Sequence, residues 1–120
     1  MPVRVNNDPI TQAADQFMPA VAVGMNGQVH VIYYDRSRDP RNILIDVFAA
    51  HSPNGGLGWL NERLTATNFP VIIAQDGLVN SVYMGDYIGI AADAEQRQAG
   101  VILAWGDNAL GDPNVQFAKR

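Results

Sequence analysis

The sequence predicts an all-β fold made of antiparallel four-stranded sheets, and three observations predict it. Short runs rich in Val, Ile and aromatic residues are separated by clusters of Gly, Pro, Asn and Asp at even spacing, the mark of consecutive strands and turns. Asn26-Gly27 sits between two such runs, and both residues tolerate the positive φ of a tight hairpin. The order of signals in the first half then begins again in the second.

Each element follows from those signals. Strands are expected at 17–23 and 28–34, joined by the turn Gly24-Met25-Asn26-Gly27, and then at 42–50 and 59–65. A second set is expected at 86–92, 100–105 and 114–118, with the Ala92–Gln96 stretch as a loop between strands. The strand at 17–23 is apolar on both sides, with Phe17, Pro19, Val21 and Val23 on one and Met18, Ala20 and Ala22 on the other. It is therefore expected to be buried between two layers.

The repeat can be laid out residue by residue. Phe17 matches Tyr87, with an acid just ahead of each (Asp15 and Asp86), and Val31-Ile32-Tyr33-Tyr34-Asp35 matches Leu103-Ala104-Trp105-Gly106-Asp107. Asp46-Val47-Phe48-Ala49 matches Val115-Gln116-Phe117-Ala118 more loosely. A period of roughly seventy residues fits a β-propeller blade with long loops better than any helical repeat. Arg4-Val5-Asn6 resembles Arg63-Leu64-Thr65 at the close of the first repeat. The expected organisation is a partial β-propeller over 1–120, with an outer strand of a preceding blade at 3–7, a complete blade at 15–66 and an incomplete one at 84–120. Two blades cannot close a ring, since propellers need about four or more.

Composition narrows the function classes. Net charge is −4 and the basic residues form no run; Arg36, Arg38 and Arg41 are interleaved with Asp35 and Asp39. No nucleic-acid or anionic-membrane partner is expected of such a surface. There is no cysteine, which removes disulfides, thiolate catalysis and cysteine zinc sites. No apolar run is long enough to span a membrane, and the first residues carry no signal-peptide apolar region. The compartment stays open on these grounds.

Ser52-Pro53-Asn54-Gly55-Gly56-Leu57-Gly58-Trp59 resembles the Asp-box, Ser-x-Asp-x-Gly-x-x-Trp, at Ser52, Gly56 and Trp59. Asn54 stands for the usual Asp and Gly58 for the usual Thr. Ser and Asx side chains accept backbone N–H bonds in such a turn, Gly takes the positive φ and Trp buries a large area. Asp15-Gln16-Phe17-Met18-Pro19, Tyr33-Tyr34-Asp35-Arg36 and Gly85-Asp86-Tyr87-Ile88-Gly89 extend the resemblance over nearly the whole chain. The chain thus resembles the Asp-box (BNR repeat) sialidase-like β-propeller family. The resemblance implies a secreted or periplasmic protein of a fold that hosts glycoside hydrolases, lyases and non-catalytic carbohydrate-binding proteins.

Sialidase chemistry, as the resemblance implies it, needs an arginine triad, a tyrosine nucleophile paired with a glutamate, and an aspartate acid/base. The family's Arg-Ile-Pro motif is absent, and the only glutamates are Glu62 and Glu95, expected on an outer strand and in a hairpin. No catalytic residue, cofactor or metal is assigned. Polar residues at inner-strand starts and in the loops between second and third strands would border the ligand face. They are Asp15, Gln16, Asp86 and Tyr87, and Asp35, Arg36, Arg38, Asp107 and Asn108. The expected role is a rim for a glycan or another small polar ligand, with arginines for a carboxylate. The competing role is that these aspartates cap turns and pair with nearby arginines.

His30 and His51 lie far apart in the repeat with no carboxylate at ligand spacing, and metal binding by the pair is not expected. Asp35–Asp39 lack the spacing of a calcium loop. Ser52 has a turn role and no nucleophile context. Three functions remain: a non-catalytic piece of a larger propeller contributing to a carbohydrate-binding face, an exo-sialidase-like glycoside hydrolase acting only within a longer chain or assembly, and a self-assembling lectin-like module. The expected partners are remaining propeller blades or identical copies, whose surfaces would cover the exposed blade flanks.

Overall fold

The structure is a computed structural model and describes residues 1–71, 78, 87–95 and 100–120. Strands β1(Gln16–Val23), β2(Val29–Asp35), β3(Asp46–Ser52) and β4(Leu60–Arg63) form one antiparallel sheet in the order β1-β2-β3-β4. Strands β5(Gly89–Ala92), β6(Val101–Asp107) and β7(Asn114–Lys119) form a second in the order β5-β6-β7. No described residue is helical, and no helix is long and apolar enough to cross a membrane among those residues. The fold class is all-β, as expected.

Local chemistry sets the strand ends. At the first hairpin Gly27 takes φ 82°, the Gln28 N–H donates to Asn26 Oδ1 at 3.0 Å, and the Gly24 N–H donates to the Gln28 carbonyl at 2.9 Å. The third strand begins four residues later than the expected start at 42. Asn42 holds φ 56°, which breaks an extended chain. The Asp39 carboxylate accepts N–H bonds from Arg41, Ile43 and Leu44 at 3.1, 3.2 and 2.8 Å, so this segment turns instead. Ile45 then bridges Phe69 in the chain beyond β4.

The first strand departs from its expected two-sided burial. Val21 and Val23 are 64% and 57% exposed, and only one side of β1 meets the core. A register shift falls between Phe17 and Ala20, where Met18 has φ 49° and Pro19 has no N–H to offer. Proline and a bulge are tolerated at this place because β1 is a sheet edge. Residues 3–7, expected as an outer strand, are in no strand. They cross the first sheet as a strap, with Val5 packed on the cluster of Val31, Tyr33 and Ala50 and its carbonyl accepting from Asn61 Nδ2 at 3.0 Å.

Alternation along β2 gives the first sheet two faces. Ile32 and Tyr34 lie on one, with Val47 and Ala49 beside them; Val31, Tyr33 and Asp35 lie on the other, with Ala50, Phe48 and Asp46 beside them. The Ile32 face packs on Val101, Leu103 and Trp105 of the second sheet, with Ile45 and Phe69 completing the core. The Tyr34 hydroxyl donates across this interface to the Gly106 carbonyl at 2.9 Å. On the far side of the second sheet, Val115 and Phe117 are 83% and 61% exposed.

The registers also test the internal alignment. Asp35 pairs with Asp46 and Asp107 pairs with Asn114, so Asp46 corresponds to Asn114. The looser match of Asp46 to Val115 is one residue out. Such a slip matters because it exchanges the two faces of a strand.

Candidate functional site

The expected rim lies where β1 begins and β2 ends. Its centre is a closed polar knot. The Asp15 N–H donates to Asn42 Oδ1 at 3.0 Å, and Asn42 Nδ2 donates back to Asp15 Oδ2 at 2.9 Å. Arg36 Nη1 lies 3.3 Å from the same Asp15 oxygen, and the guanidinium sits 5.1 Å from the centroid of the Phe17 ring. Arg38 is more open and approaches Asp46 at 3.9 Å. Gln16 accepts from Asn6 at 3.0 Å, and its Nε2 is buried without a hydrogen-bond partner. Gln16, Asn6, Phe17 and Tyr33 line a cleft of about 220 Å³ beside this knot.

The two aspartates that close the second strands of the sheets have a different role. Asp35 is 2% exposed and Asp107 4%. Asp35 accepts from the Ser37 N–H at 2.6 Å and from the Ser37 hydroxyl. Asp107 accepts from the Ala109 N–H at 3.2 Å and from Trp105 Nε1 at 2.9 Å. Both fix the turn that follows, in the manner of an Asx turn, and neither carboxylate faces solvent. Asn108 is half-buried with Oδ1 unpaired. Tyr87 is 91% exposed, and Asp86 lies outside the described residues. The structure therefore brings Asp15, Gln16 and Arg36 together, leaves Arg38 and Tyr87 open, and uses Asp35 and Asp107 as turn caps.

The turn between β3 and β4 is held by its own side chains. The Ser52 hydroxyl donates to Asn54 Oδ1 at 2.8 Å and accepts from the Gly56 N–H at 2.8 Å. Asn54 Oδ1 also accepts from the Gly58 N–H at 2.9 Å. Gly55 and Gly56 take φ 71° and 92°. Trp59 folds back onto the cluster of Val31, Tyr33 and Ala50.

Two groupings were not read from the sequence. Asp46, fully buried, accepts from Arg63 Nε and Nη2 at 2.9 and 2.7 Å and from the Thr65 hydroxyl at 2.7 Å. Its partners are 17 and 19 residues away, so only the β3–β4 register could have revealed it. His30 and His51, placed far apart in the linear reading, are direct cross-strand partners with ring centroids 5.9 Å apart. Burial lowers the His30 pKa below its ordinary value, and His51 adds to the effect. Burial, with Asp35 second, raises the Tyr33 hydroxyl above the usual phenol range.

Glu62 is bound to Arg120 at 2.7 Å, and Glu95 lies in the turn after β5, at the end of the second sheet away from Asp107. Neither adjoins the Asp15–Arg36 knot. No family model, no curated protein and no solved structure matches this chain.

Proposed function

We propose that the chain is a non-catalytic portion of a sialidase-like Asp-box β-propeller, one complete blade and three strands of the next, whose rim contributes to a carbohydrate-binding face. One observation carries the blade reading. With Asp35 matched to Asp107, the second sheet presents its Asp107 side to the first sheet, while the first sheet receives it on the side opposite Asp35. Unlike faces meet, as in stacked blades; a sandwich of two sheets related by a two-fold axis joins like faces. The Ser52–Trp59 turn and the strap at 3–7, lying where a preceding blade would pack, support the same reading.

The carbohydrate role rests on the rim. Arg36, Arg38, Asp15 and Tyr87 offer charge-assisted donors, acceptors and an exposed aromatic ring, the groups that recognise an acidic sugar. The test is calorimetric titration with sialyllactose and with neutral oligosaccharides, comparing the natural chain with R38A. Binding of the acidic sugar that weakens at least fivefold in R38A is expected; equal binding by both proteins overturns the rim assignment. Hydrolysis of a sialoside by the chain would move the reading to the glycoside hydrolase alternative.

The exposed Val115 and Phe117 face favours a second reading, a lectin-like module that assembles from copies. Light scattering behind size exclusion separates the two. A discrete dimer or trimer supports assembly, and a monomer supports a portion of a larger propeller.

A further inference from the structure

The feature used by neither reading lies on the first sheet, at the end away from the rim. His30 of β2 and His51 of β3 stand directly opposite each other, with ring centroids 5.9 Å apart. They share the face that packs on the second sheet and line a cleft of about 250 Å³ with Glu62, Leu103 and Arg120. His30 is 8% exposed, and its Nε2 is buried with no hydrogen-bond partner. A buried ring nitrogen is rarely left so, because its lone pair or proton was solvated before folding. The cleft has an open side, where the Glu62 and Arg120 side chains are 53% and 41% exposed.

We propose that His30 and His51 form a two-histidine chelate for a divalent transition-metal ion, with water completing its coordination. The rings lie at 27° to each other and an imidazole nitrogen binds along its ring plane, so the half-buried His51 ring must turn within the cleft to meet an ion held by His30 at metal–nitrogen bonds of about 2.0–2.1 Å. Imidazole nitrogen suits Cu²⁺, Ni²⁺ and Zn²⁺. Mg²⁺ and Ca²⁺ demand oxygen and are poorly served here. The ligands sit on adjacent paired strands, so their spacing is set by the sheet and not by a loop. Among the described residues no group of three or more His, Cys, Asp or Glu gathers round a metal position. The site is therefore open, unlike a closed structural zinc site. Glu62 stays with Arg120 and is not required as a ligand.

The experiment is calorimetric titration of the tag-free chain with CuCl₂, ZnCl₂ and MgCl₂, joined to electron paramagnetic resonance of the Cu²⁺ form. One ion per chain is expected, with Cu²⁺ tighter than Zn²⁺ and no heat from Mg²⁺. The Cu²⁺ spectrum should carry hyperfine structure from two imidazole nitrogens. H51Q, a change at a half-buried position, should weaken Cu²⁺ binding at least tenfold with an unchanged circular dichroism spectrum. The spectrum of the natural chain tests the proposal even if H51Q fails to fold. No Cu²⁺ binding, a spectrum with fewer than two imidazole nitrogens, or a folded H51Q that binds as tightly as the natural chain would overturn it.

Discussion

The first and second sheets use one strand plan and end in different states. In the first, both faces are occupied: one by the second sheet, the other in part by the strap at 3–7 and Trp59. In the second, one face is packed and the other leaves Val115 and Phe117 in water. The first sheet also carries two devices with no counterpart among the described residues of the second: the Asp46–Arg63–Thr65 network and the Ser52–Trp59 turn. Where the first sheet has Asp46, the second has Asn114, whose side chain only reaches back to Asp112 at 2.8 and 3.0 Å. Pairing pattern alone does not make the sheets equivalent; the groups that close the first one set it apart.

The largest effect is expected where that contrast is sharpest. Asp46→Ala should cost about 3 kcal/mol in urea denaturation, because it strands the half-buried Arg63 guanidinium and the buried Thr65 hydroxyl. Asn114→Ala should cost less than about 1 kcal/mol, since it removes only local bonds. Similar losses at the two positions would end the distinction between the sheets.

Next come the two faces of the second sheet. Leu103→Ala should cost about 2–5 kcal/mol by leaving a cavity in the interface. Phe117→Ala should stay within about 0.5 kcal/mol, and it should raise the concentration at which the chain stays dispersed in light scattering. A large loss at Phe117 would mean that this face is already covered in solution.

Smaller effects are expected at the turns. Ser52→Ala removes the acceptor of the Gly56 N–H and should cost about 1–2 kcal/mol. In the turn between β6 and β7, Asp112→Ala should cost less than about 0.5 kcal/mol. Thermal unfolding of both variants gives the comparison directly.

The smallest change concerns acid. Three backbone N–H groups, that of Leu44 foremost, hold the Asp39 pKa below its ordinary value of 3.8. Its contribution is thus complete above pH 3.8 and is lost as the pH falls from there toward the folded-state value. Asp39→Ala should therefore be less stable than the natural chain at neutral pH, and the gap should narrow on acidification below that point. A gap that stays constant down to pH 2 would show that the carboxylate's charge is not what orders the loop.

All seven strands were legible because the runs of Val, Ile and aromatic residues fall in the sheets, and Asn26-Gly27 coincides with the first hairpin; the further strand expected at 3–7 is absent, and the one expected over 86–92 begins only at Gly89, with 87 and 88 in no strand. Three things were not. The late start of β3 depends on Asp39 bonding forward to Ile43 and Leu44, which a run of Ile-Leu-Ile conceals. The exposure of Val21 and Val23 depends on what packs beside β1, and the strand's own pattern carries no such information. The pairing of His30 with His51 depends on register, because two residues 21 positions apart in sequence become neighbours only when β3 folds back on β2. The polar grouping where β1 begins and β2 ends was half legible. Asp15, Gln16 and Arg36 do converge, but the acids ending β2 and β6 proved too deeply buried to face a ligand. An aspartate at the end of a strand reads the same in sequence whether it points outward or caps a turn.

The meeting of unlike faces has a consequence for growth. A pair of sheets joined by like faces consumes its own sticky surface and is finished. A pair joined head to tail presents, at its far ends, the same two kinds of surface that its internal joint already satisfies. In the language of polymers, such a unit has a head and a tail and no terminator. Only curvature that brings the last layer back to the first, or a cover laid over one end, brings the addition to a stop. The strap at 3–7 lies over part of the tail, while the head, the Val115 and Phe117 face, is left in water.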